Sequence, residues 1–320
     1  MRRWIWIAIA LAIGVAAALS LGDVRKLPAG LSGFRWSAFA AALGLALGNY
    51  ALRFVRWDLY LRRQGVSVPL GSSALVFGAG LSLAITPGKV GELVMSYLLH
   101  ELHDVPPTRT APIVVAERVT DLIALLLLAV TGVAVYGLSA TLVVFAAAVI
   151  GAGLVMLAWP RPTRALIDLA TGPGRLRRFR APLHDMYGQL ATLCRPAQLA
   201  TATALALPAW ACECVGFALI VNGFPGAHVD FGPAMVIYAA TTIAGALSFL
   251  PGGLGVTEGA MTMFLVSGSA NLASAIALDA TLLTRFATLW FAVALGLGCL
   301  AIARRRVRDR RRVNSAAEPL

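Results

Sequence analysis

The chain has 320 residues, 59% hydrophobic and 13% charged, with a mean hydropathy of +0.79 and a formal net charge of +12. Soluble domains carry about 25% charged residues, so the composition excludes an ordinary soluble domain and predicts an all-α, polytopic integral membrane protein. The positive balance does not point to nucleic acid, because the arginines bracket apolar segments of spanning length, as topology signals do.

In chain order, the first apolar segment, 4–21, follows Arg2 and Arg3 and ends in small residues near Ser20. It resembles a signal peptide, but its run is long for one, and an uncleaved first span is expected. Five further segments are long enough to cross at ~20 apolar residues each: 36–52, 111–137, 139–159, 198–221 and 273–302. Two more stretches, 68–100 and 231–267, are interrupted by "TPGKVGE" (Thr86 to Glu92) and "LPGGLGVTE" (Leu250 to Glu258). Each reads as two half-helices around a Pro-Gly break: Pro87, Gly88 and Gly91 in the first, Pro251, Gly252, Gly253 and Gly255 in the second.

Cytoplasmic loops retain Lys and Arg. With a cytoplasmic N-terminus, 21 of the 27 basic residues fall on the cytoplasmic side, including Arg53, Arg56, Arg62 and Arg63, seven arginines between 161 and 195, and seven between 304 and 312. Both termini are then cytoplasmic, and the two broken hairpins enter from opposite sides. An internal repeat agrees: Pro87-Gly88-x-x-Gly91 and Pro251-Gly252-x-x-Gly255 lie 164 residues apart, and Arg118 and Arg285 lie 167 apart. The chain therefore divides into inverted halves, about 1–137 and 139–303, with six spans and two broken hairpins, as in many secondary transporters. Residues 304–320 form a basic tail, expected to be disordered and to grip anionic lipid. Two stretches read as interfacial anchors: 176–193, with Leu176, Phe179, Leu183, Met186, Leu190 and Leu193 on one helical stripe, and "RFVRWDLYLRR" (Arg53 to Arg63).

Ionisable groups at bilayer depth cost ~2.5–3.5 kcal/mol each and usually face a partner or a cavity. Seven stand out as candidates: Lys89, Glu92, Glu117, Arg118, Asp121, Glu258 and Arg285. On a helix Glu117 and Asp121 share a face, and Arg118 pairs with Asp121 three residues on. One reading makes them internal salt bridges holding broken helices together. The other makes them the lining of a cavity for an anionic headgroup, with Arg118 and Arg285 converging, the freed N–H groups of the half-helices adding positive potential, and Glu258 on the floor. Glu92 and Glu258 would balance those cations, contact a cationic headgroup or carry a proton.

The four cysteines form no metal pattern and read as packing residues. His100 and His103, in "HELHD", lack the HExxH spacing, so no metal site is expected, and without GxxxxGK[ST] no ATP coupling either. No cofactor is implied.

"TPGKVGELVMSYLL" (Thr86 to Leu99), "AERVTDLIALLLLA" (Ala116 to Ala129) and "LPGGLGVTEGAM" (Leu250 to Met261) resemble the flippase-like transmembrane domain of bacterial lysylphosphatidylglycerol synthases, the multiple peptide resistance factors, over about Leu43 to Ile302. In the synthases this domain is thought to move aminoacylated phospholipid between leaflets. The resemblance implies a lipid transporter of the inner membrane rather than an enzyme. It attaches to Pro87, Gly88, Lys89, Gly91 and Glu92, to Glu117, Arg118 and Asp121, and to Pro251, Gly252, Gly253, Gly255, Thr257 and Glu258; Arg285 joins them from the residue reading above. The sequence stops soon after Arg304, so a stand-alone member without the aminoacyl-transferase domain is expected. The expected partners are membrane lipids, and a homodimer is compatible with the sequence. The competing functions are a membrane transferase acting on a lipid substrate, an ion channel, or an accessory subunit of envelope assembly.

Overall fold

The computed structural model describes residues 31, 33–136, 144, 147–148, 151–152, 159–172, 175–268 and 270–317. Those residues are helical without strands. The expected spans at 4–21 and 139–159 lie largely outside them.

Helix α1 (Trp36–Arg63) is followed by α2 (Leu70–Leu81), a 3-10 segment (Pro87–Leu93), α3 (Val94–His103) and α4 (Pro107–Tyr136). Then come α5 (Pro160–Ala170), a 3-10 turn (Arg175–Phe179), α6 (Arg180–Leu193) and α7 (Pro196–Val221). The chain continues through α8 (Phe231–Leu247), a 3-10 turn (Pro251–Gly253), α9 (Val256–Ser267), α10 (Ser274–Arg285), a π-helical turn (Phe286–Trp290) and α11 (Phe291–Ala317). By length and apolarity α1, α7 and the continuous 274–313 helix suffice to cross a membrane, and α2 and α8 are shorter apolar helices.

Helix α1 ends where Gly65, at φ +68, admits the left-handed cap, with Val66 N–H returning to Leu61 O. Its buried face carries Asn49, Tyr50, Arg53, Arg56, Trp57 and Tyr60, recurring at helical spacing. Asn49 Nδ2 donates to Ala209 O of α7 at 2.8 Å, fixing α1 against α7.

The contacts repeat between the halves. Helix α1 packs on α7, α2 on α11 as α8 on α4, and α3 on α4 as α9 on α10, while the two 3-10 breaks touch each other. A glycine lies at each equivalent crossing. A side chain on Gly132 of α4 would meet Val236 of α8 at 2.0 Å, and one on Gly296 of α11 would meet Ser82 N, just past α2, at 2.1 Å. These glycines are 164 residues apart, the offset of the two Pro-Gly motifs.

Residues 304–317 are not disordered as expected: they extend α11 as a helix to Ala317. Arg311 Nη2 contacts both carboxylate oxygens of Glu101 at 2.7 Å, and Arg310 donates to Glu101 O at 2.8 Å and pairs with Asp104. These bonds fasten the tail to the end of α3, and a helix tethered through its side chains has no reason to fray. In the 176–193 stretch, α6 packs on α4 with Leu193 buried, while Phe179 and Leu183 stay exposed. Its neighbour α5 presents exposed Leu166 and Leu169, and Asp168 of α5 ties the pair through Arg180 Nε at 2.5 Å and His184 Nε2 at 2.8 Å.

Candidate functional site

The two breaks are built differently from one motif. In the first, Thr86 Oγ1 donates to Leu83 O at 2.7 Å and accepts from Gly91 N–H at 2.8 Å. Gly91 lies so close that a side chain there would stand 2.6 Å from Leu83 Cβ. In the second, Gly252 and Gly253 have φ of +61 and +67, and the chain reverses sharply before α9. Gly255 N–H, at the start of α9, donates to Glu258 Oε2 at 2.6 Å, the carboxylate half of a capping box. The expectation that freed N–H groups receive a ligand's anion is corrected at both of these amides: the chain's own Thr86 and Glu258 occupy them.

A charge network surrounds the first break. Arg118 Nη2 lies 3.2 Å from Glu92 and 3.1 Å from Asp121, the spacing foreseen for residues three apart. Arg56 Nη1 lies 2.8 Å from Asp121 and Nη2 lies 3.5 Å from Glu117, while Arg53 stands 3.8 Å from Glu92. Arg56 and Glu117 are fully buried. Three arginines thus face three carboxylates, and the cluster is neutral when all are ionised, which is what makes its burial tolerable.

This overturns the placement of Arg53 and Arg56 as anchors at a membrane surface. Only Arg62 and Arg63, further along α1, are exposed. The signal was available: Asn49, Arg53, Arg56 and Tyr60 repeat at three- and four-residue steps, so they share one face. On the opposite face Ala51 and Val55 are exposed and the Asp58–Arg62 pair follows at the helix end, so a snorkelling anchor belongs to that side and not to Arg53 and Arg56.

At the second break Arg285, the last residue of α10, donates from Nε to Glu258 Oε1 at 2.6 Å and from Nη2 to Gly252 O at 2.5 Å. The π turn follows directly, and Tyr50 of α1 donates to Thr288 O within it at 2.6 Å. The two halves therefore share a plan: a carboxylate on each hairpin's second arm, Glu92 or Glu258, pairs with an arginine on the helix that follows.

Between the breaks lies a cavity of about 290 Å3. Its ionic lining is Arg53, Arg118, Asp121, Glu213 and Arg285; Tyr50, Trp210, Tyr238, Thr86, Thr257, Gly252 and Gly253 also reach it. Trp210 Nε1 donates to Asp121 at 3.1 Å, and Tyr238 donates to Glu213 at 2.5 Å. With every group ionised the lining carries one net positive charge, from three arginines against two carboxylates. By its chemistry such a surface can take an anionic group beside the arginines and a cationic group beside the carboxylates and aromatic rings.

Of the residues singled out from sequence, Arg118, Asp121, Thr257, Arg285, Gly252 and Gly253 meet at this cavity. Glu92 and Glu117 stand behind it as buried partners of arginines. Glu258 is not its floor: the carboxylate is turned onto Gly255 and Arg285, and the residue borders a separate shallow groove beside Gly259 and Thr262. The side chain of Lys89 falls outside the described residues. Glu213 was not foreseen, although a lone acid inside the apolar run of α7 is itself a signal. His103 bonds to Ser72 Oγ at 2.5 Å, at the far end of α3 from the break.

The family description "Lysylphosphatidylglycerol synthase TM region" matches residues 5–296. A relative in the archaeon Methanothermobacter thermautotrophicus, a "UPF0104 membrane protein", is 31% identical over 121 residues. That match spans 37% of this chain and 35% of the relative's length.

Proposed function

The chain belongs to the family of the lysylphosphatidylglycerol synthase TM region, a membrane family tied by name to a lipid, and on that basis we propose that it transports lipid, moving a phospholipid or lipid-linked headgroup between leaflets of the inner membrane. The observation that carries this reading is the meeting of two broken helical hairpins at one cavity, with arginines from both halves in its wall. Irregular backbone at membrane depth is tolerated where it is buried in protein or lines an aqueous cavity. Arginine is costly at that depth and is retained where it binds or pairs.

Arg118 and Arg285 bind the phosphate in this account. The first is held by Glu92 and Asp121, the second by Glu258 and Gly252 O, so both guanidinium groups arrive oriented. Glu213 and the aromatic hydroxyls take any cationic part of the headgroup. The tails stay in the bilayer, so the protein need shelter only the polar part of the lipid during passage. Both termini are cytoplasmic in this proposal.

The test is redistribution of a labelled phospholipid in proteoliposomes, with native mass spectrometry of the lipids kept by the purified protein. Movement without chemical change supports transport. Conversion of the lipid to a new product by the purified protein would favour a transferase, and ion current without lipid movement would favour a channel.

A further inference from the structure

One register has two conformations in the two halves. Stepping 164 residues from the first hairpin to the second takes Leu83 to Leu247, Ile85 to Phe249, Thr86 to Leu250 and Pro87 to Pro251. In the first half Leu83 and Ile85 are sealed, at 5% and 1% exposure. In the second, Phe249 stands 71% exposed and Leu250 45%. Phe249 has φ +53, a region bulky side chains rarely adopt, whereas Ile85 is not among the residues of positive φ. At the Ile85–Phe249 pair the second half is open where the first is closed.

That opening belongs to the cavity. Leu247, Phe249 and Leu250 line it together with Leu289. The cavity thus has an ionic interior and an apolar, exposed rim. A water-soluble anion gains nothing from such a rim, because the exposed phenyl and leucyl surface is covered favourably only by hydrocarbon. An amphiphile satisfies both parts at once.

We propose that Leu247, Phe249 and Leu250 form a portal through which a phospholipid's acyl chain leaves the cavity while its phosphate sits at Arg118 and Arg285. The proposal rests on the lipid-transport reading and adds the side by which the lipid enters and departs. Phe249 lies along the chain, and the left-handed turn at this residue holds its ring outward at the rim.

The test uses the purified full chain, washed in detergent to strip loosely held lipid, with Phe249 replaced by the photoreactive analogue p-benzoylphenylalanine. Parallel samples carry the analogue at Ile85, the sealed counterpart, and at Val130, an exposed position on α4. Native mass spectrometry first counts phospholipid on the unsubstituted protein. After illumination the expected result is a one-phospholipid adduct at Phe249, at least tenfold above Ile85 and Val130, with the new bond on an acyl carbon by fragmentation. An equal yield at Val130, attachment through headgroup carbons, or retained phospholipid without an adduct at Phe249 overturns the portal and leaves the transport reading standing. Absence of retained phospholipid on the unsubstituted protein overturns both.

Discussion

Replacing Arg56 by methionine isolates the part of the network that holds the fold from the part that faces the cavity. Arg56 is fully buried, 2.8 Å from Asp121 and 3.5 Å from Glu117. Asp121 keeps Arg118 when Arg56 is removed, but Arg56 is the arginine in ion-pair range of Glu117 among the described residues. Removing one member of a buried pair costs about 3–5 kcal/mol, because the remaining charge loses its compensation. With roughly 2–4 °C per kcal/mol for a domain of this size, Arg56→Met should melt about 6–20 °C below wild type. Glu117→Gln should also melt below wild type, but by less, since the guanidinium keeps Asp121 at 2.8 Å. The double variant should recover much of the loss, because methionine beside a neutral amide leaves no unpaired charge. Thermal unfolding in detergent, followed by fluorescence-detected size exclusion, gives all three numbers. A single variant melting within about 2 °C of wild type, or a double variant in which the two losses simply add, refutes the pairing.

Several other perturbations have defined outcomes. Gly296→Ala places a methyl group 2.1 Å from backbone and should destabilise by about 1–3 kcal/mol, while Gly298→Ala, with nothing within 4 Å, should be neutral or stabilising by up to about 1 kcal/mol in the same melting assay. Glu258→Gln keeps an acceptor for Gly255 N–H but loses the charge that holds Arg285, so in proteoliposomes it should slow transport less than Arg285→Ala does; equal loss would place the carboxylate itself in the mechanism. Hydrogen bonds from Arg180 and His184 hold the Asp168 carboxyl down to about 2. Its folded pKa is depressed, so the contribution to α5–α6 docking is present above the ordinary carboxylate range and is lost as pH falls towards 2; carbon NMR of labelled aspartate showing a midpoint near 4 would contradict this.

The sequence carried the helical membrane class, the two breaks and the repeat because each leaves a local mark: apolar length, Pro-Gly pairs, a constant offset. It carried Arg118 with Asp121 for the same reason, since residues three apart on a helix must meet. Arg53 and Arg56 were misplaced because a cluster of arginines at the end of a span resembles a topology anchor. Only the face on which they lie distinguishes the two, and that face matters once α4 brings Glu117 and Asp121 against it. Glu258 was misjudged for a different reason. Three residues past Gly255 it is also an N3 capping position, and this local bond outcompetes the cavity. The helical tail could not be foreseen at all: its order comes from Glu101 and Asp104, more than 200 residues earlier in the chain.

In the proposed transport, service to a moving lipid and not to the fold is the role of the arginines from both halves. It is tested most directly by the initial rate of phospholipid redistribution in proteoliposomes at matched protein density, for wild type, Arg118→Ala and Arg285→Ala. The wild-type rate should be at least tenfold above protein-free vesicles and both variants should run near the protein-free value, each still inserted and monodisperse. Wild-type protein no faster than empty vesicles with every phospholipid class tried, or folded variants that keep the wild-type rate, would contradict it.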